Sequence, residues 1–157
     1  MKLYLKQHVF TFGDQFTVYD EKGNDRFYVE GEVFTFGKKL HIKDLAGNEL
    51  IYIEQKLFSF LPTYHIYRGD DEVAEVVKEF AFFRHEYSIG GLNWHISGDV
   101  FDHEYSMDDG QYTIATVSKE WFTWGDAYEI DVHESVEPIL ALAVALVIDA
   151  CIEASQN

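Results

Sequence analysis

Cysteine is almost missing from this chain: Cys151 is alone among 157 residues. A single thiol closes no intramolecular disulfide, so the fold must hold by packing, as suits a reducing compartment. Proline is scarce as well, with 2, and no Ser/Gly-rich tract interrupts the chain. No linker is read, and one domain is expected over residues 1–157. Basic residues are few, 12 Lys and Arg against 28 acids, for a net charge of −16. Beyond Arg84 the only one is Lys119, facing 14 acids. A nucleic-acid binder needs a basic footprint to displace counterions, so nucleic acid is excluded as a general partner. The same field opposes a purely polybasic attachment to anionic membranes. Met1 to His8 lacks an apolar run suited to a signal peptide, and a cytoplasmic location is expected.

Aromatic residues are abundant: 13 Phe, 10 Tyr and 3 Trp make up 17% of the chain. Such side chains favour strands and fill large interiors. They also recur in a pattern. Phe10-Thr11-Phe12-Gly13 returns as Phe34-Thr35-Phe36-Gly37, a spacing of 24, and Phe58-Ser59-Phe60 stands one step further on. Asp20, Gly23 and Asn24 return at the same spacing as Asp44, Gly47 and Asn48. Phe122-Thr123-Trp124-Gly125-Asp126 restates the phrase out of register. Twenty-four residues accommodate two ordinary strands and their turns, so the unit is a β-hairpin.

Within each unit, Gln15–Asp20 and Lys39–Asp44 alternate apolar and polar residues, the period of a half-buried strand. Each ends at an Asp followed by Gly-Asn, residues able to take the positive φ of a tight turn. The aromatic step reads as a strand entering a turn. Similar segments continue to Val132, giving close to a dozen short strands and predicting a sandwich or barrel.

The chain then changes character. Pro138 to Ile148 is an uninterrupted apolar run, with Ser135 as a candidate cap and Glu134, Glu137 and Pro138 suiting a first turn. A helix over about 136–154 follows. It is short for a membrane span, and Asp149 and Glu153 close it off. A helix apolar on all sides must be surrounded. A barrel of about twelve strands has a lumen to fill, and a helix about 10–12 Å across would fill it. The predicted fold is therefore mainly β: a closed antiparallel barrel over about 1–133, threaded by a hydrophobic C-terminal helix. Ile139, Leu142, Leu146 and Asp149 are predicted as residues of that core helix.

One series of segments carries a family resemblance: Gly98-Asp99-Val100-Phe101, Tyr105-Ser106-Met107, Asp108-Asp109-Gly110, Ile114 to Lys119, Gly125-Asp126-Ala127-Tyr128-Glu129-Ile130, and Leu140 to Asp149. In order and spacing these resemble the LURP-one-related family, across essentially the whole chain. The resemblance implies the fold of the tubby C-terminal domain and, more distantly, of phospholipid scramblases: a twelve-stranded antiparallel barrel around a C-terminal helix. Tubby domains bind phosphoinositide headgroups through surface Lys and Arg. Those residues have no one-to-one counterparts here, and none is carried over.

Candidate sites are few. Leu40-His41-Ile42, Tyr64-His65-Ile66 and Trp94-His95-Ile96 place three histidines between apolar neighbours, which turns them to the outer face. Equivalent positions around a barrel diverge, so no metal site is read from them. Asp99, Asp102, His103 and Glu104, with Asp108 and Asp109, form an acidic loop without the spacing of a calcium-binding loop. No G-x-S-x-G nucleophile motif occurs, and Cys151 is expected buried and inert. No catalytic residue and no cofactor is expected. Asp149, an acid closing the apolar run, is expected to pair with backbone or a barrel side chain near the helix exit rather than to serve as a buried functional acid. Lys38, Lys39 and Lys43 are the candidate anion-facing patch. The sequence thus points to a non-enzymatic binding or regulatory module, taking a phospholipid headgroup or a protein partner, cytoplasmic or peripheral at a membrane. The alternative is a soluble scaffold recruiting a basic partner through its acidic half; an enzyme ranks last.

Overall fold

The computed structural model describes residues 1–6, 15–32, 36–79, 86–122 and 125–155. Phe10 to Gly13, Phe34-Thr35 and Thr123-Trp124 of the repeated phrase lie outside them. Twelve strands are present: β1 (Lys2–Lys6), β2 (Gln15–Asp20), β3 (Asp25–Gly31), β4 (Lys39–Lys43), β5 (Glu49–Gln55), β6 (Thr63–Arg68), β7 (Asp71–Glu79), β8 (Glu86–Gly90), β9 (Trp94–Asp99), β10 (Glu104–Asp108), β11 (Thr113–Phe122) and β12 (Gly125–Val132). Each pairs antiparallel with its neighbours in the chain, and β1 pairs with β12 to close a barrel. That closing ladder runs over five residue pairs, Lys2↔Asp131 to Lys6↔Ala127, and the Met1 ammonium donates to Val132 O at 2.9 Å. Among the described residues the β1–β2 ladder has two pairs, Leu3↔Asp20 and Tyr4↔Tyr19.

The hairpin turns follow from local chemistry. Asp20 Oδ1 accepts from the backbone N–H groups of Lys22 and Asn24, and Gly23 takes φ 81°. Asp44 repeats this with Ala46 and Asn48, and Gly47 takes φ 90°. A carboxylate that gathers backbone N–H groups substitutes for a longer turn. It is also held in its charged form, so both aspartates lie below the usual carboxylate pKa.

The α-helix α1 (Pro138–Ser155) runs inside the barrel. Residues 141–148 have no exposed surface on any side, and Ile139, Leu142 and Leu146 are buried with them. Alanines 141, 143, 145 and 150 let the wall approach the backbone, while Leu142, Val144, Leu146, Val147 and Ile148 fill the remaining lumen. By length and composition the helix is apolar enough to cross a membrane, but its apolar surface is spent on the barrel interior. It starts at Pro138, two residues later than expected. Ser135 is not the cap: its hydroxyl pairs with His133 Nδ1 at 2.7 Å. Proline at the first helical position supplies the fixed φ and has no N–H to satisfy.

Antiparallel strands alternate direction, so successive connections alternate between two ends. The turns after β2, β4, β6, β8 and β10 share the end where α1 enters, as the Arg68–Glu137 ion pair shows. The connections after β3, β5 and β9 share the end where it leaves, as Lys38–Glu153 shows.

Candidate functional site

The exit end carries the largest exposed apolar side chains. In the β5–β6 connection Phe58 and Phe60 are fully exposed to solvent, and Leu57 is also exposed. Phe36, in the β3–β4 connection, is 87% exposed. Here the structure corrects the sequence reading. The aromatic step at 58–60 is not the entry of a strand into a turn; it is the loop between two hairpins, with both rings outward. Turn chemistry at the other end fixes the hairpins, and this leaves the aromatics to the connections.

These tips are held from beneath. Ser59 Oγ donates to Leu61 O, and Thr63 Oγ1 donates to the same carbonyl at 2.9 Å. Lys56 N donates to Thr63 O at 2.8 Å, closing the loop base. Phe58 itself takes φ 57°, a left-handed conformation unfavourable to a bulky residue. The neighbouring loop nests against this one at Gly37, where a Cβ would stand 3.0 Å from Leu57 Cδ2. With φ 78° as well, that position favours glycine on two grounds.

Lys38 and Lys39 lie beside these tips. Lys38 Nζ meets Glu153 Oε2 at 3.2 Å, and its backbone N–H donates to Gln55 Oε1 at 3.0 Å. Lys39 begins β4, half-buried and opposite Glu54. Lys56 is exposed in the adjoining loop. Lys43 stands apart, four residues along β4, or about 13 Å. Its Nζ pairs with Glu30 Oε2 at 2.7 Å, an interaction that raises the lysine and lowers the glutamate pKa. The structure thus brings Lys38 and Lys39 together with Lys56 and separates Lys43 from them.

Inside the same end lies a group that sequence reasoning left incomplete. Asp149, 8% exposed, accepts from the Tyr128 hydroxyl on β12 and from His103 Nε2 at 2.9 Å. The His103 ring stacks on Tyr128 with centroids 4.6 Å apart. His103 belongs to the acidic loop between β9 and β10, but its φ of 55° turns it inward while Asp99 and Asp102 stay exposed. Nothing in the composition of that loop signals the reversal. Burial, then the Asp149 charge, drives the Tyr128 hydroxyl pKa far upward, and Tyr105 follows for the same reasons. Among the described residues, three buried polar atoms have no hydrogen-bond partner: Tyr87 OH, Tyr105 OH and His103 Nδ1. Burial also pushes the Cys151 thiol up to about 11, so it is a poor nucleophile near neutrality. The His103–Asp149 pair therefore has no activated nucleophile beside it among the described residues. Its evident work is to pin the helix to the wall.

The three histidines all face outward. His95 is exposed, His41 is bracketed by Glu49 at Nδ1 and Glu32 at Nε2, and His65 meets Glu72. A concavity of about 480 Å³ lies at the entrance end, away from Lys38, with Arg26 and Arg68 over a floor including Phe27, Leu50 and Ile139. Arg68 is occupied by Glu137, which it binds through both terminal nitrogens.

A closed twelve-stranded barrel around an apolar helix, joined to this sequence, defines a class. The sequence profile of the LURP-one-related family matches residues 1–149, and the chain belongs to that family. It is 39% identical over 149 residues to the uncharacterized protein YxjI of Bacillus subtilis (strain 168), covering 95% of this chain and 92% of that one. A protein of Arabidopsis thaliana solved by X-ray crystallography has a similar fold, with a TM-score of 0.65 over 95% of this chain and 90% of that chain. Its 13% identity makes this a likeness of fold alone.

Proposed function

We propose that the protein is a non-enzymatic module that docks peripherally on an anionic membrane surface by its exit end, from the cytoplasmic side. The observation that carries this is the pair of fully exposed phenylalanines, Phe58 and Phe60, on a loop braced by its own hydroxyl groups. Large apolar side chains presented together to water mark an interaction surface. Aromatic rings suit the boundary between headgroups and acyl chains, and nearby lysines answer anionic headgroups. Phe36, Leu57, Lys38, Lys39 and Lys56 supply that combination. The net charge of −16 limits the lysines to orienting the molecule, so the rings must provide the grip.

Flotation with phosphatidylcholine vesicles, with and without phosphatidylserine, tests the reading. Binding is expected to anionic vesicles. Phe58→Asp/Phe60→Asp should abolish it with an unchanged melting temperature, and Lys38→Glu/Lys39→Glu should weaken it. Equal flotation of the phenylalanine variant, or no flotation of the wild type, would overturn the proposal. The latter result would favour a protein partner for the same end.

A further inference from the structure

The third hairpin differs from the first two on its outer face, and the difference assembles a metal-binding donor set. In each hairpin the ladder slips by one residue, and the slip sets an acid beside a fixed position of the first strand. The slip pairs Tyr19 with Asp25, Lys43 with Glu49, and Tyr67 with Glu72. A bulge of this kind re-aims the side chain next to it. The equivalent residues two places earlier are Thr17, His41 and His65, and their cross-strand partners are Tyr28, Tyr52 and Glu75. Only the third copy combines a histidine, the bulge acid and a second acid where the others carry tyrosine.

The consequence shows in which nitrogen is used. His41 is held from opposite edges, with Glu49 at Nδ1 and Glu32 at Nε2, an arrangement that cannot converge on one ion. At His65 both carboxylates approach the same atom: Nδ1 lies 2.5 Å from Glu72 Oε1 and 3.7 Å from Glu75 Oε2. The three donor atoms all fall within 4.8 Å of one another. A zinc-type ion bound at about 2.0–2.2 Å holds neighbouring ligands roughly 3.3 Å apart, so small rotations of two exposed glutamates suffice. Glu54, on the other flank of His65, is engaged by the Tyr52 hydroxyl at 2.7 Å.

We propose that His65 Nδ1, Glu72 and Glu75 form a surface site for a first-row transition dication of the zinc type, completed by water. One imidazole nitrogen with two carboxylate oxygens suits such an ion better than calcium or magnesium, which prefer all-oxygen sets. The acidic field of the molecule raises the local concentration of any dication. The sequence alone weighs against three histidines sharing a metal. The site needs one of them, with acids that a bulge brings to it. It stands independently of membrane docking.

Titration calorimetry with Zn²⁺ on the full chain in metal-free buffer tests this, with Co²⁺ as a spectroscopic probe. One Zn²⁺ per chain and a visible Co²⁺ band are expected. Glu75→Tyr, which installs the residue of the second hairpin, should weaken Zn²⁺ at least tenfold and remove the Co²⁺ band. Glu49→Gln, at the His41 cluster, should leave both unchanged. If Glu75→Tyr does not melt like the wild type, Glu72→Gln serves in its place with the same expectation. No Zn²⁺ binding by the wild type, undiminished binding in the third-hairpin variants, or an equal loss in Glu49→Gln would overturn the site.

Discussion

Single residues show where this barrel spends polar chemistry in its interior. Asp149 is a carboxylate within an otherwise apolar helix, accepting from His103 and Tyr128. Asp149→Ala leaves both donors buried without a partner, a loss of about 3–5 kcal/mol for a broken buried pair. For a chain of this size that is roughly 6–20 °C in melting temperature, read by calorimetry. A shift under about 2 °C would mean that the pair is dispensable. On the outer wall, His41 answers to pH. Its partial burial disfavours the charged ring, but Glu49 and Glu32 outweigh this and raise its pKa above 6.5. A group whose folded pKa is raised contributes stability that is complete below the unfolded value, about 6.5, and is lost as pH rises through the folded one. The stability gap between the wild type and His41→Gln should therefore shrink from pH 6 to pH 9. A gap that widens would reverse the sign of this assignment. Asp20 and Asp44 act in the opposite direction, since their lowered pKa values make their contribution disappear as pH falls through the acid range.

Among elements, the helix is the one on which all the others depend. Burying its large aliphatic side chains offers on the order of 1.5–3 kcal/mol each, an upper estimate. Removing residues 136–157 should leave an insoluble or non-cooperative barrel, whereas a soluble, sharply melting 1–135 fragment would refute that dependence. Both the helix and the middle strands were legible in the sequence, because their signals are local. An apolar run without a polar face announces burial, and Asp-x-x-Gly-Asn closes a hairpin by its own hydrogen bonds. β1 was harder: Lys2–Lys6 alternates, but no turn signal flanks it, and its main partner is β12 at the far end of the chain. The exit-end site was only partly legible. Lys38 and Lys39 could be picked out as charges, but Phe58 and Phe60 have the composition of core residues. Their exposure depends on a loop conformation set by Ser59, Leu61 and Thr63. His103 was hidden for a similar reason, since one left-handed residue decides whether a side chain in an acidic loop faces water or the core.

The molecule as a whole is governed by its charge. A net of −16 on 157 residues makes the folded chain repel itself, and added salt relieves that repulsion. Raising NaCl from 20 to 200 mM should increase the melting temperature, and a decrease would show that attractive pairs such as Lys43–Glu30 and Arg68–Glu137 dominate instead. Under the proposed docking, the same addition should weaken the lysine contribution to vesicle binding while leaving that of the phenylalanines, which separates the two parts of the proposed surface.

The closure of the barrel through β1 and β12 also fixes an order of events. The two strands that complete the wall lie at opposite ends of the chain, and the helix they enclose follows both. All twelve strands of the wall are therefore synthesised before the plug exists. Such a topology pays loop-closure entropy late and folds slowly. Among the described residues the β1–β2 and β8–β9 ladders, with two pairs each, are the thinnest parts of the wall. Of these, β1–β2 lies beside the closing seam and is the natural place for the wall to stay open until the helix arrives.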